Sequence, residues 1–432
     1  MSAAAERPSI SVVMPTLDQA GFIAESVASV MSQGVEGLEL IVSDGGSRDG
    51  TLGELAALAA RHGGRLRWYS APDSGPAEAV NAAVARARAP IVGWLNSDDL
   101  YTPGALRRAL AHFEARPDDV MVYGEAEHVD VHGQRIDRYP TRGPDTPLDA
   151  YADGCHVCQP SAFFRRDAFD AVGGLDTGLH AAFDFDLWLR MFKAWPGRIG
   201  FMDQVQAQSR LHAGAITWRM RERVALEGIE VVGRHLGPAP VHWLLTHAAE
   251  LIDAHPFHTP GGDLPAHLRT LLGKAAGRLV PDAREQLEAH LAGHRAVQLM
   301  TEDFAVGVYP DGWAPATLDV RLRQPAQAGS RPTALVRLYC RHASPVGGRL
   351  LLEVATPGEG LWSLEVPRPG PFLLELPVED QRPGARLVFR VQARWGEFVP
   401  ARVHAGSDDE RALAFVVEGA EVVPQPARGA AS

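Results

Sequence analysis

The sequence predicts an α/β domain on a largely parallel sheet, followed by a helical region and then a β-sandwich. Three observations carry this. Over the first 125 residues, short β-branched runs alternate with longer amphipathic stretches, the pattern of βα units feeding a parallel sheet. From Arg219 to about Met300 the apolar residues recur at helical spacing. After Asp303 the chain turns to short alternating runs separated by Gly/Pro turns at about ten-residue spacing.

Taken in order, Ile10 to Met14 reads as the first strand and Ile23, Val27 and Val30 as one face of a helix. Leu38 to Ser43 forms a second strand that ends in the turn Asp44-Gly45-Gly46-Ser47, and Thr51 to Arg61 the next helix. Leu66 to Ser70 is a third strand and Pro76 to Arg88 an alanine-rich helix. Ile91 to Leu95 is a fourth strand running directly into Asn96-Ser97-Asp98-Asp99. Farther on, Leu244, Leu245, Ala248 and Leu251 share one helical face, and Leu268, Leu271 and Leu272 another, with Pro238, Pro240 and a Pro260-Gly261-Gly262 turn as punctuation. Ala334 to Tyr339 and Leu350 to Val354 typify the closing strands, and Val422 to Ser432 reads as a loose tail. The expected organisation is a catalytic domain over residues 1–219, a helical linker over 220–302, a β-sandwich over 303–421 and a flexible tail over 422–432.

Composition narrows the functional classes. At 432 residues the chain exceeds the roughly 250–300 at which single cores divide, so two or three domains are expected. Acidic residues outnumber basic ones, 53 to 42, and the formal charge of -11 argues against nucleic acid as a partner of the bulk surface. No apolar run reaches membrane-span length, and Met1 to Pro8 lacks a basic-then-apolar leader. A soluble cytoplasmic protein is therefore expected, compatible with peripheral association at a membrane. Three cysteines are too few for a disulfide framework; Cys155-x-x-Cys158, with His156 between, reads either as a redox or zinc pair lacking its second half or as small buried thiols.

Polar residues gather where the strands end, the place at which open α/β sheets bind ligands and helix N-termini favour anions. Asp98 and Asp99 follow a strand, so the pair could hold a hard divalent cation bridging two phosphates, or simply make a turn and cap a helix beginning near Pro103. Asp44 could accept hydrogen bonds from a base or ribose, with Gly45 and Gly46 allowing close approach, or close an ordinary Asx-turn. Farther along, Asp184 and Asp186 open the amphipathic stretch Ala182 to Arg190. Helix capping accounts for one of them, while the aromatic surroundings suit a partly desolvated carboxylate acting as a base. Trp188 reads as core on that apolar face.

Together and in order these stretches resemble the family two glycosyltransferases. The matching text is Ser11 to Thr16, Leu40 to Thr51, Pro72 to Gly75 with Asn81, Gly93 to Asp99, Gly173 to Asp176, Asp184-x-Asp186-Leu187-Trp188-Leu189-Arg190 and Arg210-Leu211-His212. The resemblance covers about the first half of the chain and implies a GT-A, Rossmann-like nucleotide-sugar-binding domain. It implies that Pro15, Thr16 and Asp44 hold the nucleotide, with Gly75 and Asn81 lining the same pocket and Asn96, Ser97, Asp98 and Asp99 forming the donor loop. Asp98 then matches the metal-binding acid, His212 the histidine completing the metal or diphosphate site, and Asp184 the catalytic base. A divalent Mn2+ or Mg2+ cofactor, a nucleotide diphosphate sugar donor, a glycan or lipid-linked sugar acceptor and a place in polysaccharide biosynthesis follow from it. The implied reaction is a single displacement with inversion. Three positions depart from the pattern: Asn96 replaces the first acid of the metal motif, Glu78 stands where Asp is common, and Phe183 precedes the base where Glu is usual. Gln159, in a stretch resembling the acceptor-side strand, reads as an acceptor contact or a buried structural hydrogen bond.

Other classes fit less well. A nicotinamide oxidoreductase should carry Gly-x-Gly-x-x-Gly after its first strand, where Pro15-Thr16-Leu17-Asp18 stands instead. A sugar nucleotidyltransferase should show a Gly-rich, Arg/Lys-bearing loop there. A non-catalytic sugar-binding or scaffold protein on the same fold is the alternative, against which the retention of Asp98, Asp184 and His212 together argues. For the closing sandwich, carbohydrate binding through Trp313, Trp362 or Trp395 and a purely structural or docking role both stand.

Overall fold

The computed structural model describes residues 8–426 apart from 213, 216–218, 258–262, 328–329, 346, 359 and 405. The chain folds as two compact units, one of residues 1–243 with 277–280, the other of 244–276 with 281–432.

The first unit is built on a nine-stranded sheet in the order β3-β2-β1-β4-β8-β6-β9-β5, with β7 paired to β6. Strands β1 (Ile10–Thr16), β2 (Leu38–Asp44), β3 (Leu66–Ser70) and β4 (Ile91–Trp94) are parallel to their neighbours. Every residue of β1 and β2 is buried, as a strand covered on both faces requires. Between them run α1 (Ile23–Met31), α2 (Thr51–His62) and α3 (Pro76–Ala85). The apolar face expected from spacing is the one that packs: Ile23, Val27 and Val30 are fully buried. The far side of the sheet is mixed. The two-residue β5 (Leu100–Tyr101) pairs antiparallel with β9, and after α4 (Ala105–Ala115) comes β6 (Met121–Val129), followed by β7 (Arg135–Arg138). β8 (Phe163–Arg165) inserts antiparallel between β4 and β6, and α5 (Arg166–Ala171) and α6 (Phe183–Ala194) lead to β9 (Ile199–Arg210), parallel to β6.

Two expectations about element ends change. Asp98 and Asp99 do not open a helix at Pro103, because β5 intervenes and α4 begins at Ala105, after Gly104 in the left-handed region. The first unit also runs past residue 219, through the helix Arg221–His235, for a physical reason. Glu227 accepts hydrogen bonds from the backbone N–H groups of His180, Ala181 and Ala182 just before α6. His235 Nε2 lies 2.8 Å from Asp186 Oδ1 within α6, and Arg190 Nη2 lies 2.7 Å from Asp186 Oδ2. The helix thus caps and clamps α6.

The second unit holds helices His242–Ala254 in part, Leu264–Ala275 and Ala283–Gly293, and then, among the described residues, ten strands in two antiparallel sheets. The six-stranded order is β10 (Met300–Thr301), β11 (Phe304–Val306), β13 (Thr317–Arg323), β18 (Arg386–Trp395), β15 (Leu350–Ala355) and β16 (Leu361–Val366), and the four-stranded order β12 (Trp313–Pro315), β19 (Leu413–Pro424), β14 (Thr333–His342) and β17 (Gly370–Pro377). Alternation explains the core: in β13 (Thr317–Arg323), Leu318, Val320 and Leu322 are buried while their neighbours are not. Residues 422–424, expected in the tail, belong to β19 (Leu413–Pro424), where Val422 pairs with Val336 and Val423 with Leu335. The rest of that expected tail beyond 426, and the Pro260-Gly261-Gly262 turn, lie outside the described residues.

Burial alone would raise the Asp186 carboxyl, but the His235 hydrogen bond and the Arg190 charge outweigh it and hold it below the usual value of 3.8. Asp186→Asn is therefore expected to lower unfolding free energy by about 3 kcal/mol or more, the cost of opening a buried ion pair, as read by urea denaturation at neutral pH. A depressed carboxyl contributes its stability above its unfolded pKa and loses it as pH falls through the folded one. The gap between variant and wild type should accordingly shrink below about pH 4.

Candidate functional site

The carboxyl ends of the parallel strands lie side by side. Thr16 is opposite Asp44, and Asp44 opposite Ser70. Pro15 and Thr16 are buried, and Thr16 Oγ1 has no hydrogen-bond partner among the described residues. Asp44 is 1% exposed. Its Oδ2 accepts from Gly46 N–H at 2.9 Å, Ser47 N–H at 3.1 Å and Ser70 Oγ at 2.6 Å, and its Oδ1 from the Ser47 hydroxyl. Asp44 therefore closes the Asx-turn. The loops after β1 and β2 are laced together: Asp18 N–H donates to Ser47 Oγ, Arg48 N–H to Asp18 Oδ1, Gln19 N–H to Thr51 Oγ1 and Ala20 N–H to Asp49 Oδ2. Asp18 adopts φ 53 to do this, a left-handed conformation that Asp tolerates better than most side chains.

Gly75 precedes α3, and its N–H donates to Asp73 Oδ1 at 3.0 Å. Burial pushes the Asp73 carboxyl up. A Cβ on Gly45 would sit 2.9 Å from Asp73 Oδ2, so glycine is what lets these two loops touch. Glu78, the residue standing where Asp is common, accepts from both Ser74 N–H and Ser74 Oγ and so fixes the entry to α3. Asn81 gives both ends of its amide to one backbone position, donating to Leu175 O and accepting from Leu175 N–H, each at 2.9 Å. Its amide thus clamps the Gly173-Gly174-Leu175 turn with one of its two N–H donors.

After β4 the chain meets β9. His212 Nε2 lies 3.0 Å from Asp98 Oδ2, across 114 residues of sequence. Gly214 N–H donates to His212 Nδ1 at 3.2 Å, which leaves the proton of a neutral ring on Nε2, aimed at Asp98. Asp99 is interior, 3% exposed, accepting from Arg210 N–H at 2.9 Å and Asn96 Nδ2 at 3.2 Å. Burial, together with the charge of Asp98, raises its carboxyl. Asn96 Oδ1 accepts from Trp94 Nε1 at 3.1 Å. Ser97 is buried, and its carbonyl accepts from Ser26 Oγ.

Asp98 and His212 would fit a divalent cation that takes the place of the Nε2 proton, with the ring changing to its Nδ1–H tautomer. Ligands on an octahedral ion at about 2.1 Å stand about 3 Å apart when adjacent, which is the separation these two atoms already have. Among the described residues no group of three or more His, Cys, Asp and Glu side chains is arranged to hold a metal, so oxygens of a bound ligand would have to complete the shell.

Asp184 begins the first turn of α6, where its Oδ1 accepts from Phe185 N–H at 2.8 Å. Desolvation pushes its carboxyl up to about 6. Tyr139, Cys155 and Cys158 lie close enough to feel its charge. Burial pushes both thiols up, so they are poor thiolates. Trp188 is 1% exposed, a core residue. Gln159, 8% exposed, donates from Nε2 to Trp94 O at 2.6 Å while its Oε1 is buried without a partner among the described residues.

Arg210 has a role that the sequence reading did not assign. Its side chain is 0% exposed and donates to Asp98 O, Asp130 O, Val131 O and Glu25 Oε2. Its place two residues before His212 was the available signal.

Residues 11–173 match the family model described as Glycosyl transferase family 2. Among curated relatives, an uncharacterized glycosyltransferase of Rickettsia conorii is 24% identical over 216 residues, 47% of this chain and 34% of that protein. The O-antigen biosynthesis protein RfbC of Myxococcus xanthus is 28% identical over 280 residues, 62% of this chain and 22% of that one. A chondroitin synthase of Escherichia coli is 28% identical over 191 residues, 44% and 27% of the two chains. The chain thus spans 22% to 34% of the length of these relatives. A crystal structure of S. aureus TarS 1-349 in complex with UDP-GlcNAc superposes with a TM-score of 0.50 at 17% identity, covering 66% of this chain and 85% of that one. The sheet of the first unit is accordingly a GT-A, Rossmann-like one.

Arg210→Met should strip the loop of residues 96–99 of this anchor and leave buried carbonyls unpaired. The expected loss is about 3 kcal/mol or more in urea unfolding, with residues 96–99 exchanging their amide protons faster than in wild type.

Proposed function

We propose, on the premise that residues 11–173 form a glycosyl transferase family 2 domain, that this chain transfers a sugar from a nucleoside diphosphate carrier to an acceptor hydroxyl with inversion at the anomeric carbon. The observation that supports this best is that one unit holds two chemically distinct stations, the 3.0 Å Asp98–His212 pair and the desolvated Asp184. The loops after β1 to β3, with Thr16, Asp44 and Gly75, form the nucleotide end of the crevice. Asp98 and His212 hold the diphosphate end. A divalent cation, Mn2+ or Mg2+, would supply charge neutralisation for the departing diphosphate there. Asp184 takes the proton of the acceptor hydroxyl as its oxygen bonds to the anomeric carbon and the bond to the diphosphate oxygen breaks. One displacement from the opposite face inverts the configuration. A carboxyl raised to about 6 is a stronger base than an ordinary aspartate and still ionised at neutral pH.

The acceptor class is proposed from the relatives: an O-antigen biosynthesis protein and a chondroitin synthase point to a growing polysaccharide or glycoconjugate, a lipid-linked one included. No helix among the described residues is long and apolar enough to cross a membrane, so a lipid-linked acceptor would be met at the membrane surface. Donor binding and chemistry belong to the first unit on this reading. The sandwich at 303–421 serves acceptor handling or partner docking, and of its three candidate tryptophans only Trp395 stands out, 53% exposed.

Two results would test this. A nucleoside diphosphate at about 100 times its Kd should stabilise the protein by about 2.7 kcal/mol, read as a Tm rise. The rise should be larger with Mn2+ or Mg2+ than with chelator, and Asp98→Asn or His212→Ala should remove the metal-dependent part. In transfer assays, Asp184→Asn should lower kcat by about 10²–10⁴-fold with nucleotide affinity nearly intact. Because the base must be ionised and its carboxyl is raised, wild-type kcat should fall as pH drops below about 6, approaching tenfold per pH unit.

A further inference from the structure

We infer that Trp94 is a positioning residue that fixes the base Asp184 relative to the donor loop, through one contact to each. The inference rests on the transfer reading above. Trp94 is the last residue of β4 and 1% exposed. Its backbone is held on two sides, by the register with Val13 in β1 and by Gln159 Nε2 donating to its carbonyl at 2.6 Å. A buried, two-torsion aromatic held this way has little freedom to move.

The indole makes its two contacts from different parts of one rigid plane. Its Nε1 donates to Asn96 Oδ1 at 3.1 Å, and Asn96 Nδ2 in turn donates to Asp99 Oδ2 at 3.2 Å, so the loop bearing Asp98 hangs on the indole N–H. The ring stacks on Phe183, with centroids 5.7 Å apart and planes at 25°, and Phe183 immediately precedes Asp184. A shift of either loop is therefore felt by the other through the same side chain.

This accounts for two of the three departures from the family pattern at once. Asn96 and Phe183 are the two partners of Trp94. An aspartate at 96 could accept the indole N–H, but it would put a third carboxylate beside Asp98 and Asp99 and have no N–H to give Asp99. A glutamate at 183 would forgo the stack and set a like charge next to Asp184, where a ring adds apolar cover.

The two contacts can be cut separately. Phe183→Leu removes the stack and Phe183→Tyr keeps it; Trp94→Phe keeps a ring and removes the N–H. Transfer kinetics, the Kd for UDP or GDP with Mn2+ (whichever binds wild type) and amide exchange over residues 182–186 are measured for each. Phe183→Leu should lower kcat by about 10- to 100-fold with nucleotide Kd within about twofold, and Phe183→Tyr should restore it. Trp94→Phe should weaken nucleotide binding several-fold and abolish the slowing of exchange over 182–186 that nucleotide and Mn2+ produce in wild type. Full kcat in Phe183→Leu, or unaltered nucleotide-induced protection in Trp94→Phe, overturns the inference. A wild-type protein that binds nucleotide but never transfers sugar defeats the transfer reading alone, and the exchange measurement then still decides the role of Trp94.

Discussion

The site depends on one buried cation. The Arg210 guanidinium, with no exposed side-chain surface, draws together Glu25 of α1, the Asp98 carbonyl of the donor loop and the Asp130 and Val131 carbonyls after β6. Its backbone N–H holds Asp99 as well. Burying a charge is costly unless its donors find partners, so this residue ties three segments together at once. The chain then has only two residues to travel before His212, which sets the imidazole beside Asp98. Phe22 reinforces the corner, lying 5.0 Å under the guanidinium and 4.8 Å from the His212 ring.

A second consequence of burial separates two carboxylates with almost the same sequence surroundings. Asp184 and Asp186 are two residues apart on α6, which at 3.6 residues per turn sends their side chains to nearly opposite sides of the helix. Asp186 meets His235 and Arg190 and is held ionised. Asp184 meets the neighbourhood of Tyr139, Cys155 and Cys158, where desolvation acts without a cation to offset it. Environment alone divides them into a structural acid and a candidate base.

Much of this was legible in the chain. Runs of β-branched residues and helical spacing located β1 to β4 and α1 to α3, since a parallel sheet and its covering helices bury continuous and striped apolar surface respectively. Burial in β13 followed the alternation as well. The Asp98–His212 contact, spanning 114 residues, came within reach only through the resemblance to a family, because no local pattern carries pairing over that distance. The roles of Arg210 and Trp94 and the clamp made by Asn81 were hidden for the same reason: each is defined by what a distant segment brings to it. The helix Arg221–His235 looked like a linker because Glu227 and His235 are ordinary on a helix surface until α6 is docked against them. Likewise, Trp313 stacks edge-on against Phe398 while Trp395 stays exposed, a difference that composition does not record.

The most direct test is a crystal structure of the protein with Mn2+ and the nucleoside diphosphate it binds, with the ion located by anomalous scattering. The expected result is an ion bound by Asp98 Oδ2, His212 Nε2 and diphosphate oxygens at about 2.0–2.3 Å, with the nucleoside lying over Thr16 and Asp44 and the Asp184 carboxyl open to the vacated sugar position. An ion held elsewhere, or a diphosphate bound with Asp98 and His212 still joined to each other alone, would contradict the account.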